Sequence, residues 1–254
     1  MIPKRILDIL MSTVGETPQL PPTIVFNEGW LLRLSLDCLS RLSLADHPLS
    51  FAPKATWFSE ALLPTAFRPR TRADKLSESY THADGAIGHI KVAKAGSAYL
   101  GLDKEAIQFI ITEAKMFSAL STGVKNAPFF NQAARSVACM AQVLCRDERP
   151  VDQFASLGFY VIAPEVVITA GVFNPQMTRE HVQATIAERV RGYDGTLDEW
   201  YNAWFIPLIH RIDLRYISWE DIVTLIESKG DPAASELKNF YQNCLKYNRP
   251  RKKT

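Results

Sequence analysis

The chain has 254 residues, 47% hydrophobic and 22% charged, enough apolar material for a substantial core near the upper size of one domain. A formal charge of +2 and a pI near 8.3 exclude the strong basic bias of a dedicated polyanion binder, so contact with nucleic acid would have to come from local clusters. No apolar stretch approaches the roughly 20 residues of a membrane span, and the four cysteines Cys38, Cys139, Cys145 and Cys244 show no CxxC spacing and read as reduced, small hydrophobes. With the amphipathic start and its acidic Asp8 in place of a signal-peptide core, the expectation is a soluble, cytoplasmic protein with no membrane partner.

In chain order, residues 6–14 predict a short helix, followed by a linker in which Gly15, Pro18, Pro21 and Pro22 exclude helix. Asn27 caps a leucine-rich helix over residues 28–44, apolar on so many sides that most of it must be covered. Residues 55–67, with Trp57, Phe58, Leu62, Leu63 and Phe67 between prolines, suit a strand and turn. A basic loop follows, in which Arg68, Arg70 and Arg72 alternate and either meet phosphates or simply point into water. The same two readings apply to the tail with Arg249, Arg251, Lys252 and Lys253.

Residues 80–92 predict a second strand, residues 94–105 a polar loop, and residues 106–115 a third strand with Ile107, Phe109 and Ile111 on one face. Antiparallel pairing across that loop would set Asp84 opposite Lys115 and Val92 opposite Ile107. Asp84 then shares a face with both Glu113 and Lys115, and a slip of one residue would send it to the other face. A helix over residues 129–146 has Ala134, Val137, Ala138, Ala141 and Leu144 as its apolar stripe, with Gln132 and Arg135 on another side. Residues 157–163 form an apolar strand stopped by Pro164, and residues 166–172 extend it or pair with it. Helices are predicted over residues 178–191, 197–212, 218–228 and 233–247, with Trp200, Tyr201, Trp204 and Phe205 spaced for packing before base stacking.

Glu113 and Lys115 lie two apart on a strand and so project together, a carboxylate and an ammonium at the polar end of an apolar run. Asp84 would add a second hard oxygen ligand. Without a cation the two acids repel and one tends to hold a proton; a bound divalent ion removes that cost. Taken singly, each of these residues is ordinarily read as part of a surface ion pair; only together do they favour a site. His82 and His89 lack zinc-site spacing, and Ser118 and Ser121 lack a G-x-S-x-G elbow.

On Asp84 in HADGAIGH, Glu113-Ala114-Lys115 in FIITEAK, and Gln132 and Arg135 in NQAAR, the chain resembles the PD-(D/E)xK nuclease superfamily over roughly residues 27–164. The departure is His82-Ala83, where a proline often precedes the aspartate. The resemblance implies an α/β, restriction-endonuclease-like fold with a mixed β-sheet flanked by helices, read as a single domain over residues 1–254 with a mostly helical elaboration at about 174–248. It also implies a metal-dependent nuclease, with Asp84 and Glu113 ligating Mg²⁺ (or Mn²⁺), the Ala114 carbonyl and Glu28 as further ligands, Lys115 acting on the attacking water, and Gln132 meeting that water. Arg135, Lys125, Arg68, Arg70 and Arg72 are the candidate contacts to nucleic acid, DNA first. Glu28 is equally well explained by the positive end of its own helix. A nuclease fold that binds without cutting, a structural interaction protein using the helical C-terminal half, and assembly as a homodimer all stay open.

Overall fold

A computed structural model describes residues 2–14, 18–44, 46–71, 74, 76–78, 80–92, 99–123 and 127–250. The strand Gln108–Ala114 is buried at every position, which is the pattern of a strand covered on both faces. Among the described residues it is β5 of seven strands, after β1 (Thr56–Leu63), β2 (Thr81–Gly88), β3 (Ile90–Val92) and β4 (Leu100–Leu102), and before β6 (Ser156–Ala163) and β7 (Asp213–Ser218). Five of these form one mixed sheet in the order β1-β2-β5-β6-β7. β2 pairs antiparallel with both β1 and β5, and β5, β6 and β7 run parallel. The chain is thus α/β, with helices on both faces of a mixed sheet.

The helices are α1 (Ile2–Met11), α2 (Glu28–Ser40), α3 (Gln132–Arg146), α4 (Glu165–Thr169), α5 (Arg179–Arg191), α6 (Asp198–Trp200), α7 (Ile206–Arg211), α8 (Trp219–Ser228) and α9 (Ala234–Asn248). Helices α2, α8 and α9 cover one face, where Leu32, Leu36, Trp219, Ile222 and Leu237 meet Ile110, Ala114 and Ile162. On the other face α3, α5 and α7 bring Val137, Ile186 and Leu208 to Phe109, Ile111 and Phe159. Alternation along β5 therefore assigns Glu113 to the α3 side, with Phe109 and Ile111.

Several expectations hold. Asn27 caps α2 by accepting from the Trp30 N–H at 3.0 Å, and the predicted stripe of α3 is buried throughout. Trp200 and Phe205 are buried, with Tyr201 and Trp204 packed beside them, so these aromatics are core. All four cysteines are free. No helix among the described residues is long and apolar enough to cross a membrane. Between α6 and α7, residues Tyr201–Phe205 form a π turn, a widened turn just before Pro207, whose ring could not accept a regular helical repeat.

Other expectations need correction. The strand predicted over residues 80–92 breaks at Gly88, and the supposed loop after it contains β4, which pairs with β3 as a separate ribbon. Gly88 has φ +149°, and a Cβ there would lie 2.1 Å from the Gln108 carbonyl oxygen. Gly88→Ala is accordingly expected to cost at least about 2 kcal/mol, read as a lower denaturant midpoint at unchanged slope. Residues 166–172 do not extend the sheet, because Pro164 turns the chain into the short α4. The C-terminal part is also more than helices. Its β7, unforeseen between two predicted helices, is the fifth strand and pairs with β6 from Gly158↔Asp213 to Ala163↔Ser218.

Candidate active site

The β2–β5 register runs from Gly85↔Thr112 to Gly88↔Phe109. One further step sets Asp84 opposite Glu113, two residues away from the predicted alignment with Lys115 but with face parity preserved. The two carboxyl groups meet on the α3 side. Asp84 Oδ2 accepts from the Ala114 N–H at 2.8 Å, a bond that fixes the aspartate at the fork where the two strands part.

Glu113 is the centre of the arrangement and is 2% exposed. Lys115 Nζ donates to Glu113 Oε1 at 2.8 Å, and the Gln132 side-chain amide donates to the same oxygen. Each partner is itself held. The Lys115 backbone N–H donates to the Ile162 carbonyl at 2.8 Å, and its carbonyl accepts from Trp219 Nε1 at 2.9 Å. Gln132 stands at the first position of α3 because the Asn131 side chain caps that helix, accepting from the Ala134 N–H at 3.0 Å. Ser121 completes the clamp, its N–H donating to Gln132 Oε1 at 3.1 Å while its carbonyl accepts the Gln132 N–H at 3.0 Å.

The electrostatic consequence falls on Glu113. Burial pushes its carboxyl up to about 8 and Asp84 adds to the rise, while the Lys115 ammonium pulls the other way. Near neutral pH the pair therefore holds a proton where a cation could stand. Hard, paired carboxylate oxygens are the donors Mg²⁺ takes when substrate and water complete its shell. Among the described residues no third acid, histidine or cysteine joins Asp84 and Glu113 in a group able to hold a metal. The donor set thus fits a hydrated Mg²⁺ bound through two carboxylates, and not a closed protein cage.

Not every predicted residue arrives. Glu28 starts α2, on the opposite face of the sheet, and its charge bears on Cys244 of α9. That placement argues against a ligand role and leaves the helix N-terminus as its account. Ala114 takes part through its N–H, given to Asp84. Arg135 lies one turn beyond Gln132, but its charge bears on Glu78 and Cys139, and its buried Nε has no hydrogen-bond partner among the described residues. Arg70 is occupied structurally: it pairs with Asp74 at 2.9 Å, donates to the Gly192 carbonyl and lies over the Tyr193 ring. Arg68 is exposed and lines a cavity with Glu78 and Tyr80. Arg72 and Lys125 lie outside the described residues.

Ser121 and Trp219 were not foreseen, and no local signal marks them, since each acts through backbone partners distant in sequence. Glu60 is also new. Pairs Ser59↔Gly85 and Ala61↔Ala83 leave it opposite Asp84 with φ +57°, an uncommon conformation for a non-glycine residue, and Arg33 holds it at 2.9 Å.

The mixed α/β sheet and the acid pair with its lysine define a class of architecture and a class of site. No family model, curated protein or solved structure matches the chain.

Proposed function

We propose that the protein is a metal-dependent nuclease of the restriction-endonuclease-like kind, hydrolysing phosphodiester bonds of nucleic acid, with DNA as the first substrate to test. The observation that carries this reading is the convergence of Asp84 from β2 and Gln132 from α3 on one buried carboxylate, Glu113, which Lys115 at the end of the same strand also meets. A purely structural ion pair would need neither the second acid nor the glutamine, and would rest lower in energy without the repulsion between carboxylates. Asp84 and Glu113 would hold the ion, which when bound supplies charge neutralisation at the scissile phosphate and acidifies water.

The chain's own residues do the rest. Glu113 must give up its proton to present an anionic oxygen, and Lys115 at 2.8 Å favours that loss. The same ammonium is placed to orient an attacking water or to meet charge that accumulates on the phosphoryl oxygens. Gln132, clamped by Ser121, keeps the Glu113 carboxylate from rotating toward the lysine alone.

Labelled single-stranded, duplex and branched DNA, and RNA, incubated with Mg²⁺ or Mn²⁺ should be cut, and EDTA should abolish the cutting. Cleavage unaffected by EDTA contradicts the proposal. Salt-dependent binding without cleavage under any of these conditions would mark a nuclease-fold binding module in its place.

A further inference from the structure

Helix α1 has the pattern of a covered helix, yet among the described residues nothing covers it. None of its ten residues is buried, and Ile2, Ile6, Leu7, Ile9 and Met11 are all exposed. At about 100° per residue, Pro3, Ile6, Leu7 and Leu10 mark the middle of an apolar arc that Ile2 and Ile9 extend on one side and Met11 on the other. The charges are ordered too. Arg5 borders the arc next to Ile9, Lys4 borders it next to Met11, and Asp8, the one acid of the helix, stands at the back between them. Arg5, Asp8 and Ile9 line a cavity with Gln19, so the polar side faces the chain and the arc is turned outward. A lone helix of this length is marginal in water, because most helical stability comes from packing an apolar face.

A groove of matching character lies between α2 and α9. Leu34 and Cys38 of α2 meet Leu237 and Phe240 of α9 around a cavity of about 160 Å³, with Cys38 and Leu237 buried and Leu34 exposed. Each side carries an exposed acid, Asp37 on α2 and Glu236 on α9. Arg41 also borders the groove, but Asp37 and Asp231 already answer its charge, so the groove is acidic on balance. On both helices the lining residues follow the i, i+3, i+4, i+7 spacing of a single helix face. Two such faces side by side make a trough for a third helix.

We infer that this groove receives α1 of a second copy of the chain, and that a two-fold axis makes the contact reciprocal. Pro3, Ile6, Leu7 and Leu10 meet the apolar floor. The basic residues on the two edges of the arc meet the acids on the two sides of the groove, and Asp8 faces water. Both halves of the contact belong to one chain, as a self-complementary interface requires, and the two-fold forms both contacts in one association. A lipid surface would cover the helix but leave the groove open. Helices α2 and α9 lie across the sheet from α3, so the dimer leaves the acid pair free and the inference does not depend on the nuclease reading.

Sedimentation equilibrium of the full chain tests it, with a dimer as the expected result. Two variants locate the contact: Lys4→Glu with Arg5→Glu in one protein, and Asp37→Lys with Glu236→Lys in another. Each is expected to weaken self-association by roughly tenfold or more, because like charges then face one another along both edges. An equimolar mixture should recover the dimer, since each acidic helix finds a basic groove and each native helix a native groove. Thermal melts check that both variants fold. Wild-type protein that stays monomeric at the highest concentration reached overturns the inference, and that result depends on no variant. A dimer that either variant retains overturns it too, as does a mixture that fails to recover.

Discussion

Lys115→Ala is expected to lower phosphodiester cleavage by about 10²–10³-fold, the range for removing one pre-positioned donor at a site of developing charge. Glu113→Gln should lower it at least as far, since it replaces an anionic carboxylate ligand by a neutral amide while keeping the side chain's shape. The two substitutions separate by their other effects. Glu113→Gln removes a buried acid that burial and Asp84 both disfavour in its charged form, so it should stabilise the fold in the absence of metal while destroying activity. Lys115→Ala leaves that acid buried beside Asp84 with no compensating cation, so it should destabilise. Rates at saturating substrate, paired with thermal melts in EDTA, check both. Cleavage surviving in both variants would contradict the assigned chemistry.

The pH dependence of stability is the second large effect. Glu113 moves from an ordinary carboxyl value of 4.5 to about 8 in the folded chain. Between those values the folded protein keeps a proton that the unfolded chain has released. The stabilising contribution is therefore complete below 4.5, declines as pH rises, and is lost on passing about 8. Each pH unit of separation corresponds to about 1.4 kcal/mol, so the decline amounts to several kcal/mol. Other groups titrate as well, which makes the difference between wild type and Glu113→Gln the informative quantity. Melting temperature in EDTA should fall more steeply with pH in the wild type than in the variant. Adding Mg²⁺ should flatten the wild-type curve and release a proton below pH 8, because the ion favours the ionised carboxylate. Parallel pH curves for the two proteins would show that Glu113 is not the group that titrates.

Much of this site could be read from residue spacing alone. Period-two alternation put Glu113 and Lys115 on one face, and an odd–even pairing with Asp84 was enough to bring the acids together even though the alignment itself was two residues off. The offset arose because Gly88 ends β2 and sends the chain into a separate ribbon, an event one glycine among many does not announce. Gln132 was reached through the resemblance, on a helix expected from residue 129; the Asn131 cap that sets the start of α3 at Gln132 was not read from the sequence. The two readings of Glu28 could not be separated from the sequence, because a helix has no fixed side of a sheet until its packing is known. Arg70 could have been anticipated, since Asp74 lies four residues on and answers its charge. β7 was hidden by its length: six residues, with only Asp213 and Arg215 charged, give little signal between two longer helical patterns.

The central claim is that Asp84 and Glu113 together hold a divalent cation beside Lys115. A crystal of the wild-type protein soaked in Mn²⁺, with data collected at the manganese absorption edge, tests it most directly. An anomalous peak bridging the two carboxylates, absent in Glu113→Gln, is the predicted result. Well-ordered Asp84 and Glu113 side chains with no peak between them at saturating Mn²⁺ would contradict it.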